Sequence, residues 1–219
     1  MARTARVVGQ GLPHHVIQRG NRRQRVFFSD EDKNFYLKLL RKKAREHQLQ
    51  IWAYCLMDNH VHMVVVPSTK ESLAACIGEI HKEYTKVINF REGWCGYLWQ
   101  GRFRSFILDE AHVYAAVRYV ERNAVRAGLV SKAEEYRWSS AWFRVKCVQD
   151  GILSKFYLMD NIKDWKGYLA PSDQEKDLGL LREHGVTGKP LGSAGFLEEL
   201  GDKLGMELTP KKRGRRPKK

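Results

Sequence analysis

Residues 50–67, QIWAYCLMDNHVHMVVVP, decide the reading of the fold. Gln50 to Met57 is an apolar and aromatic run, Asp58-Asn59 is a turn pair, and His60 to Pro67 is a second, β-branched run. The segment therefore reads as a β-hairpin. In its second strand His60 and His62 stand at i and i+2. Strand side chains alternate between faces, so both imidazoles project together while Val61 and Met63 point the other way. Two adjacent imidazoles either decorate a solvated sheet face or offer their lone pairs to a divalent metal. The otherwise apolar strand, continuing MVVV, adds weight to the metal. His14-His15 is a less specific pair beside a turn.

Working outward, LPHHVIQRG (residues 12–20) reads as a short strand with Val16 and Ile17 between turn-formers. Ser29 followed by Asp30, Glu31 and Asp32 marks a helix start, a hydroxyl cap with acids in the first turn. Phe35, Leu39 and Leu40 continue it at helical spacing to about His47. A helix is expected from about Lys70 to Phe90, with Leu73, Ile77, Ile80, Tyr84 and Ile88 on one stripe. After Gly93 and Gly96, YLWQGRFRSFIL (97–108) reads as strand with irregular edges. A further helix runs from about Glu110 to Arg126 and is capped at Gly128. The order β-α-β-β-α-β-α predicts an α+β fold, a ferredoxin-like split β-α-β sandwich with an antiparallel sheet covered by helices. Trp138 and Trp142, at i and i+4, read as core. Beyond Trp142 the pattern weakens into short helical stretches broken by Gly and Pro, with a helix expected from Phe196 to Leu204.

Hydrophobic residues make up 43% of the 219, enough for a packed core. The longest strongly apolar stretch, Met63 to Val66, is far short of a membrane span, and the basic opening MARTARVVGQGLPHH lacks the apolar centre of a secretory signal. Cys55, Cys76, Cys95 and Cys147 are scattered without CxxC spacing, which fits a reducing cytoplasm. Lys+Arg 39 against Asp+Glu 25 leaves +14. Seven of those charges sit in the last nine residues, KKRGRRPKK, and Arg3, Arg6, Arg19, Arg22, Arg23 and Arg25 precede the first acid, Asp30. Two basic ends on a basic chain point to a polyanion, nucleic acid before a membrane surface, since neither block has an amphipathic apolar face.

On the helix before Gly128, Tyr119 and Asn123 are i and i+4 and share a face, whereas Tyr114 lies about 140° away. Taken alone, Tyr119 is a half-buried aromatic and Asn123 a polar helix-end residue. Beside the His60/His62 pair they become two imidazoles and an amide oxygen around one metal, with a phenol beside it. Tyr97, Trp99, Phe103 and Phe106 interleave with Arg102 and Arg104, a mixture able to stack bases and hold phosphates. Alternate rings of a strand must face inward, so the arginines carry that expectation and the rings stay open.

These stretches resemble the single-tyrosine HUH transposases, and among them the REP-associated tyrosine transposases. The likeness is carried by HHVIQRGNRRQRVFF (14–28), LMDNHVHMVV (56–65), LWQGRFRSFILD (98–109), YAAVRYVERNAVRAGLV (114–130) and EYRWSSA (135–141), in that order. It covers residues 10–145, and PLGSAGFLEELGDKLG with the basic GRRPKK end is similar to the C-terminal region of one group of these proteins. The resemblance implies that His60 and His62 bind the metal, that Tyr119 is the nucleophile of a Tyr-x-x-x-Asn motif, and that Asn123 completes the metal site. The family motif continues Asn-Pro; here residue 124 is Ala, which removes a helix-ending residue but no ligand. On this basis 1–145 is the catalytic domain, 146–209 a helical module and 210–219 a basic, disordered tail.

A free phenol titrates near 10 and is a poor nucleophile at neutral pH, so the reaction needs help. The implied chemistry is a metal-assisted attack of Tyr119 on single-stranded DNA beside a hairpin, leaving a 5′-phosphotyrosine and a free 3′-OH that can rejoin another strand without ATP. Neutral N and O ligands favour Mg²⁺ or Mn²⁺ over structural Zn²⁺. Arg19, Arg22, Arg23, Arg102 and Arg104 are the DNA-binding candidates, with Lys211, Lys212, Arg213, Arg215 and Arg216 of the tail. RGRRPKK resembles an AT-hook, but Arg216 before Pro217 departs from Arg-Gly-Arg-Pro, so a minor-groove reader and a phosphate tether are both open. The expected partner is hairpin-bearing single-stranded DNA of repetitive palindromic elements. The expected setting is the bacterial cytoplasm, at the nucleoid. The chain acts as a monomer with the site in cis or as a homodimer sharing it. The rivals are a non-cutting DNA-binding descendant, a metal-dependent hydrolase using water, and a relaxase or replication initiator of the wider HUH group.

Overall fold

The structure is a computed structural model that describes residues 6–208. Strands β1 (His14–Arg19), β2 (Leu49–Met57), β3 (His60–Pro67) and β4 (Arg104–Ile107) form an antiparallel sheet in the order β2-β3-β1-β4. Helix α1 (Asp30–Glu46) carries the chain from β1 to β2, and α2 (Ser72–Glu92) from β3 to β4. Each crossover skips one strand, the split β-α-β arrangement expected from the element order. Ser29 and Asp32 close a capping box at the start of α1, and Asp32 also accepts from the Phe28 amide at 2.8 Å. Such a cap is worth about 1 kcal/mol.

Strands β2 and β3 are buried at almost every position, so both faces of the sheet are covered. Helices α1 and α2 cover one face over an aromatic cluster of Phe27, Tyr36, Tyr84 and Trp99. Both tyrosine hydroxyls of that cluster are paired, while the buried Trp99 Nε1 has no hydrogen-bond partner. Tyr84 donates to the Val26 carbonyl at 2.6 Å, and the Tyr36 hydroxyl meets His81 Nε2 at 3.0 Å. Helices α3 (Glu110–Glu121), α4 (Asn123–Arg126) and α5 (Ser140–Val145) take the other face, against β2 and β3.

The remaining chain folds back as α6 (Tyr157–Asn161), α7 (Trp165–Leu169), α8 (Glu175–Thr187) and α9 (Ala194–Leu204). Its Leu158, Trp165, Leu169, Leu181 and Leu191 join the same buried core as the sheet. Helix α8 lies against β1 and β4, and Leu191 pairs with Leu108 beside β4. Among the described residues no helix is long and apolar enough to cross a membrane, and all four cysteines are free.

Three expectations need correction. Strand 97–108 shrinks to Arg104–Ile107, preceded only by a bridge between Gly20 and Trp99. Gly96 (φ 92°) and Gly101 (φ 127°) take the backbone out of strand geometry there. The helix expected over 110–126 breaks at Arg122 (φ −90°, ψ 6°), whose guanidinium is held by the Leu169 and Ala170 carbonyls and by Asp173. Trp138 and Trp142 do not share a helix, since α5 starts at Ser140; Trp138 is buried and Trp142 half-buried.

Candidate active site

Strand pairing decides which side chains meet. Ile17 of β1 opposes His62 of β3 on one side and Arg104 of β4 on the other, and Arg19 opposes His60. Opposed residues share a face. His15, Ile17, Arg19, His60, His62 and Arg104 therefore look toward α3, which brings Tyr119 onto them. The Tyr119 ring centre lies 5.6 Å from His62 and 5.6 Å from His15, edge-on to both. His60 and His62 are 5.0 Å apart, nearly perpendicular. Asn123, at the start of α4, is 8% exposed and its Nδ2 has no hydrogen-bond partner.

The proton positions follow from the partners. Asn59 Oδ1, 2.5 Å from His60 Nδ1, can only accept, so His60 Nδ1 carries the proton and Nε2 keeps its lone pair. His62 Nδ1 lies 2.9 Å from His15 Nε2. If His62 Nδ1–H donates across this pair, His62 Nε2 is likewise free to ligate, and His15 sets the tautomer. Burial, with Arg19 and Arg126 adding to it, pushes the His60 imidazole down to about 4. Burial holds His62 well below the ordinary imidazole range, reinforced by His15 and His60, and takes His15 to about 3. Two neutral imidazoles, His60 with its Nε2 lone pair free, and a buried amide lining the same cavity fit a divalent ion.

These residues line a cavity of about 620 Å³. Arg19, Arg23, Arg102, Arg104, Arg126 and Arg182 also line it, and its described lining includes no carboxylate. Such a cavity is built for an anion, and a bound phosphate would bring the negative charge that the ligand set lacks. Of the arginines expected from the sequence, Arg19, Arg23, Arg102 and Arg104 reach this cavity, whereas Arg22 is exposed and not part of its lining. Of the interleaved rings, Trp99, Phe103 and Phe106 are buried and Tyr97 is 86% exposed. Lys211, Lys212, Arg213, Arg215 and Arg216 lie outside the described residues.

The sequence reading missed His15, Gln18, Arg126 and the α8 residues Leu181, Arg182 and Gly185, which also line the cavity or adjoin it. The alternation of β1 separates His15 from His14, and that was the available signal. His14 faces away and is fully used, its Nδ1 donating to the Leu12 carbonyl and its Nε2 accepting from the Gly9 amide. A second group of metal-capable side chains, Glu46, His47 and Glu79, sits on α1 and α2. There the Lys43 ammonium already bridges Glu46, Glu79 and Glu83 at 2.9, 2.7 and 3.1 Å.

Comparison with known proteins bears on the family and the fold. Residues 10–123, more than half of the chain, match the family described as Transposase IS200 like. The fold is similar to a solved REP-associated tyrosine transposase bound to a REP hairpin, with a TM-score of 0.57 at 18% identity, over 71% of this chain and 93% of that one. A crystal structure from Deinococcus radiodurans R1, described as a candidate transposase, is 20% identical over 55% of this chain and 97% of that one; its TM-score of 0.39 carries no argument. No curated protein gives a significant match. With its site residues and its strand order both inside or beside the matched span, the chain belongs to the IS200-like transposase family.

Proposed function

We propose that the protein is a metal-dependent enzyme that nicks and rejoins single-stranded DNA beside hairpins of repetitive palindromic elements, through a 5′-phosphotyrosine on Tyr119. The observation that carries this reading is that Tyr119, His60 and His62 line one cavity walled by arginines, with the Tyr119 ring against His62. The REP hairpin held by the solved relative supports the choice of substrate. In the reaction the phenol gives up its proton, the bond from Tyr119 Oη to phosphorus forms, the bond from phosphorus to O3′ breaks, and the 3′-oxygen leaves as a hydroxyl. His60, His62 and Asn123 would hold a Mg²⁺ or Mn²⁺ ion, which would supply Lewis-acid neutralisation of the scissile phosphate. His15 holds His62 in the ligating tautomer. Arg19, Arg102 and Arg104 hold neighbouring phosphates of the strand. The chemistry belongs to residues 1–145, while the segment after residue 146 walls the site through Arg182. The setting is the bacterial cytoplasm, at the nucleoid.

The test is incubation with 5′- and 3′-labelled hairpin oligonucleotides and Mn²⁺, run on a denaturing protein gel beside Tyr119→Phe and chelator controls. A covalent band carrying the fragment downstream of the nick, absent from both controls, is expected. Retarded DNA on a native gel without any adduct would instead identify a non-cutting binder. An adduct-free product that survives Tyr119→Phe would identify a hydrolase using water.

A further inference from the structure

Arg118, Arg122 and Arg126 recur every fourth residue along α3 and α4, and their guanidiniums converge on Asp173, between α7 and α8. The distances are 3.7, 3.3 and 3.0 Å, and the Asp173 side chain is 9% exposed. Two of the three arginines fasten the segment. Arg118 also donates to the Pro171 and Ser172 carbonyls, and Arg122 to those of Leu169 and Ala170. Arg126 reaches elsewhere. Its Nη1 meets Asp173, its Nη2 donates to the Tyr119 carbonyl at 2.5 Å, and its guanidinium carbon sits 3.9 Å from the Tyr119 ring centre. The other ring neighbours, His15 and His62, stand on the strands.

We propose that Asp173 is a positioning residue for the nucleophile, holding Arg126 against the Tyr119 ring so that the phenol keeps one orientation toward the cavity. This rests on reading Tyr119 as the nucleophile. Asp173 touches no substrate and acts through Arg126. Arg126 lines an anion-binding cavity, and without the carboxylate it is free to swing to an incoming phosphate and leave the ring unsupported. Loss of Asp173 therefore has two opposite effects. The removed negative charge strengthens DNA binding, and the disordered phenol slows the chemistry. A merely structural carboxylate would weaken both together.

The full chain carrying Asp173→Asn is compared with Asp173→Glu and with Arg118→Gln, which loosens the same segment without touching the ring. Single-turnover formation of the phosphotyrosine should fall about tenfold or more in Asp173→Asn. The Kd for hairpin DNA, read by fluorescence anisotropy, should stay the same or tighten. Asp173→Glu should recover the rate, and Arg118→Gln should keep it. An unchanged rate in Asp173→Asn, or equal slowing by Arg118→Gln, overturns the inference. A second readout needs no activity. The Arg126 side-chain protons, assigned with Arg126→Lys, should be shifted upfield in NMR spectra by the ring beneath them. That shift should collapse in Asp173→Asn and persist in Arg118→Gln. If the shift behaves so while wild-type protein forms no adduct, the nucleophile reading fails and the ring positioning stands. If the shift persists in Asp173→Asn, the inference fails whatever the adduct does.

Discussion

Strand β3 and helix α8 both line the cavity and are held by different forces. Val61, Met63, Val64 and Val65 of β3 are completely buried, so His60 and His62 ride on a strand fixed by apolar burial worth about 1.5–3 kcal/mol per side chain. Helix α8 buries Leu178, Leu181 and Gly185. The chain just before it is tied down by the arginines on Asp173, and the chain after it by Leu191 bridging to Leu108 and by the Ser193 amide on Asp109. The lesson is a division of labour. The groups that need fixed positions sit on the rigid side, and the α8 wall is held largely by polar contacts that can be loosened singly.

The sharpest way to break the comparison is Tyr119→Phe. The hydroxyl makes no contact on which the packing depends, so the fold and hairpin binding should persist while adduct formation falls by about 10⁴-fold or more. A gel assay beside circular dichroism checks both halves of that expectation.

Acid should strike the buried histidines of the sheet and of α2. In the metal-free protein burial depresses His14 and His60 to about 4 and His15 and His81 to about 3, all below the unfolded value near 6.5. As pH falls through that window the unfolded chain binds protons that the folded chain refuses. Stability is therefore intact above about 6.5 and declines below it, each imidazole contributing up to about 1.4 kcal/mol per pH unit. Calorimetry at pH 7.5 and 5 should show a clear drop in Tm. A Tm that does not move would mean that these imidazoles are not buried neutral.

His15→Ala should leave the strands paired but remove the partner of His62 Nδ1. Mn²⁺ affinity, measured by titration calorimetry, is expected to fall about 10–100-fold, the usual cost of losing a residue behind a ligand. His15→Gln, which offers an accepting oxygen, should lose less. Equal affinity in all three proteins would remove His15 from the site.

The smallest effect belongs to the wall. A Cβ at Gly185 would lie 2.8 Å from Ile17 Cδ1, the end of a side chain that can turn aside, so the bulk of Gly185→Val crowds the α8–β1 contact. The expected cost is about 1–3 kcal/mol, an overpacking penalty. Hydrogen exchange should accelerate in α8 while β3 stays protected. Equal acceleration in β3 would show that the two walls are one cooperative unit.

The hairpin, both crossovers and the pairing of His60 with His62 were readable because strand alternation, helical spacing and capping are local properties of the chain. Tyr119 and Asn123 were singled out through helical spacing and a family resemblance, although the helix that was to join them breaks at Arg122. His15 was passed over because a dipeptide of histidines does not show which imidazole faces a partner 47 residues away. Helix α8 was blurred by Gly179 and Gly185, and the reason Gly185 is needed lies in Ile17, on another element. The sequence by itself determined the hairpin, the order of elements along the chain and the face that His60 and His62 share, because period-two and period-3.6 patterns are written into neighbouring residues. Only the tertiary structure decided which arginines surround the phenol, which histidine meets His62, and that Asp173 reaches Arg126, because those contacts join segments whose spacing along the chain carries no periodic signal.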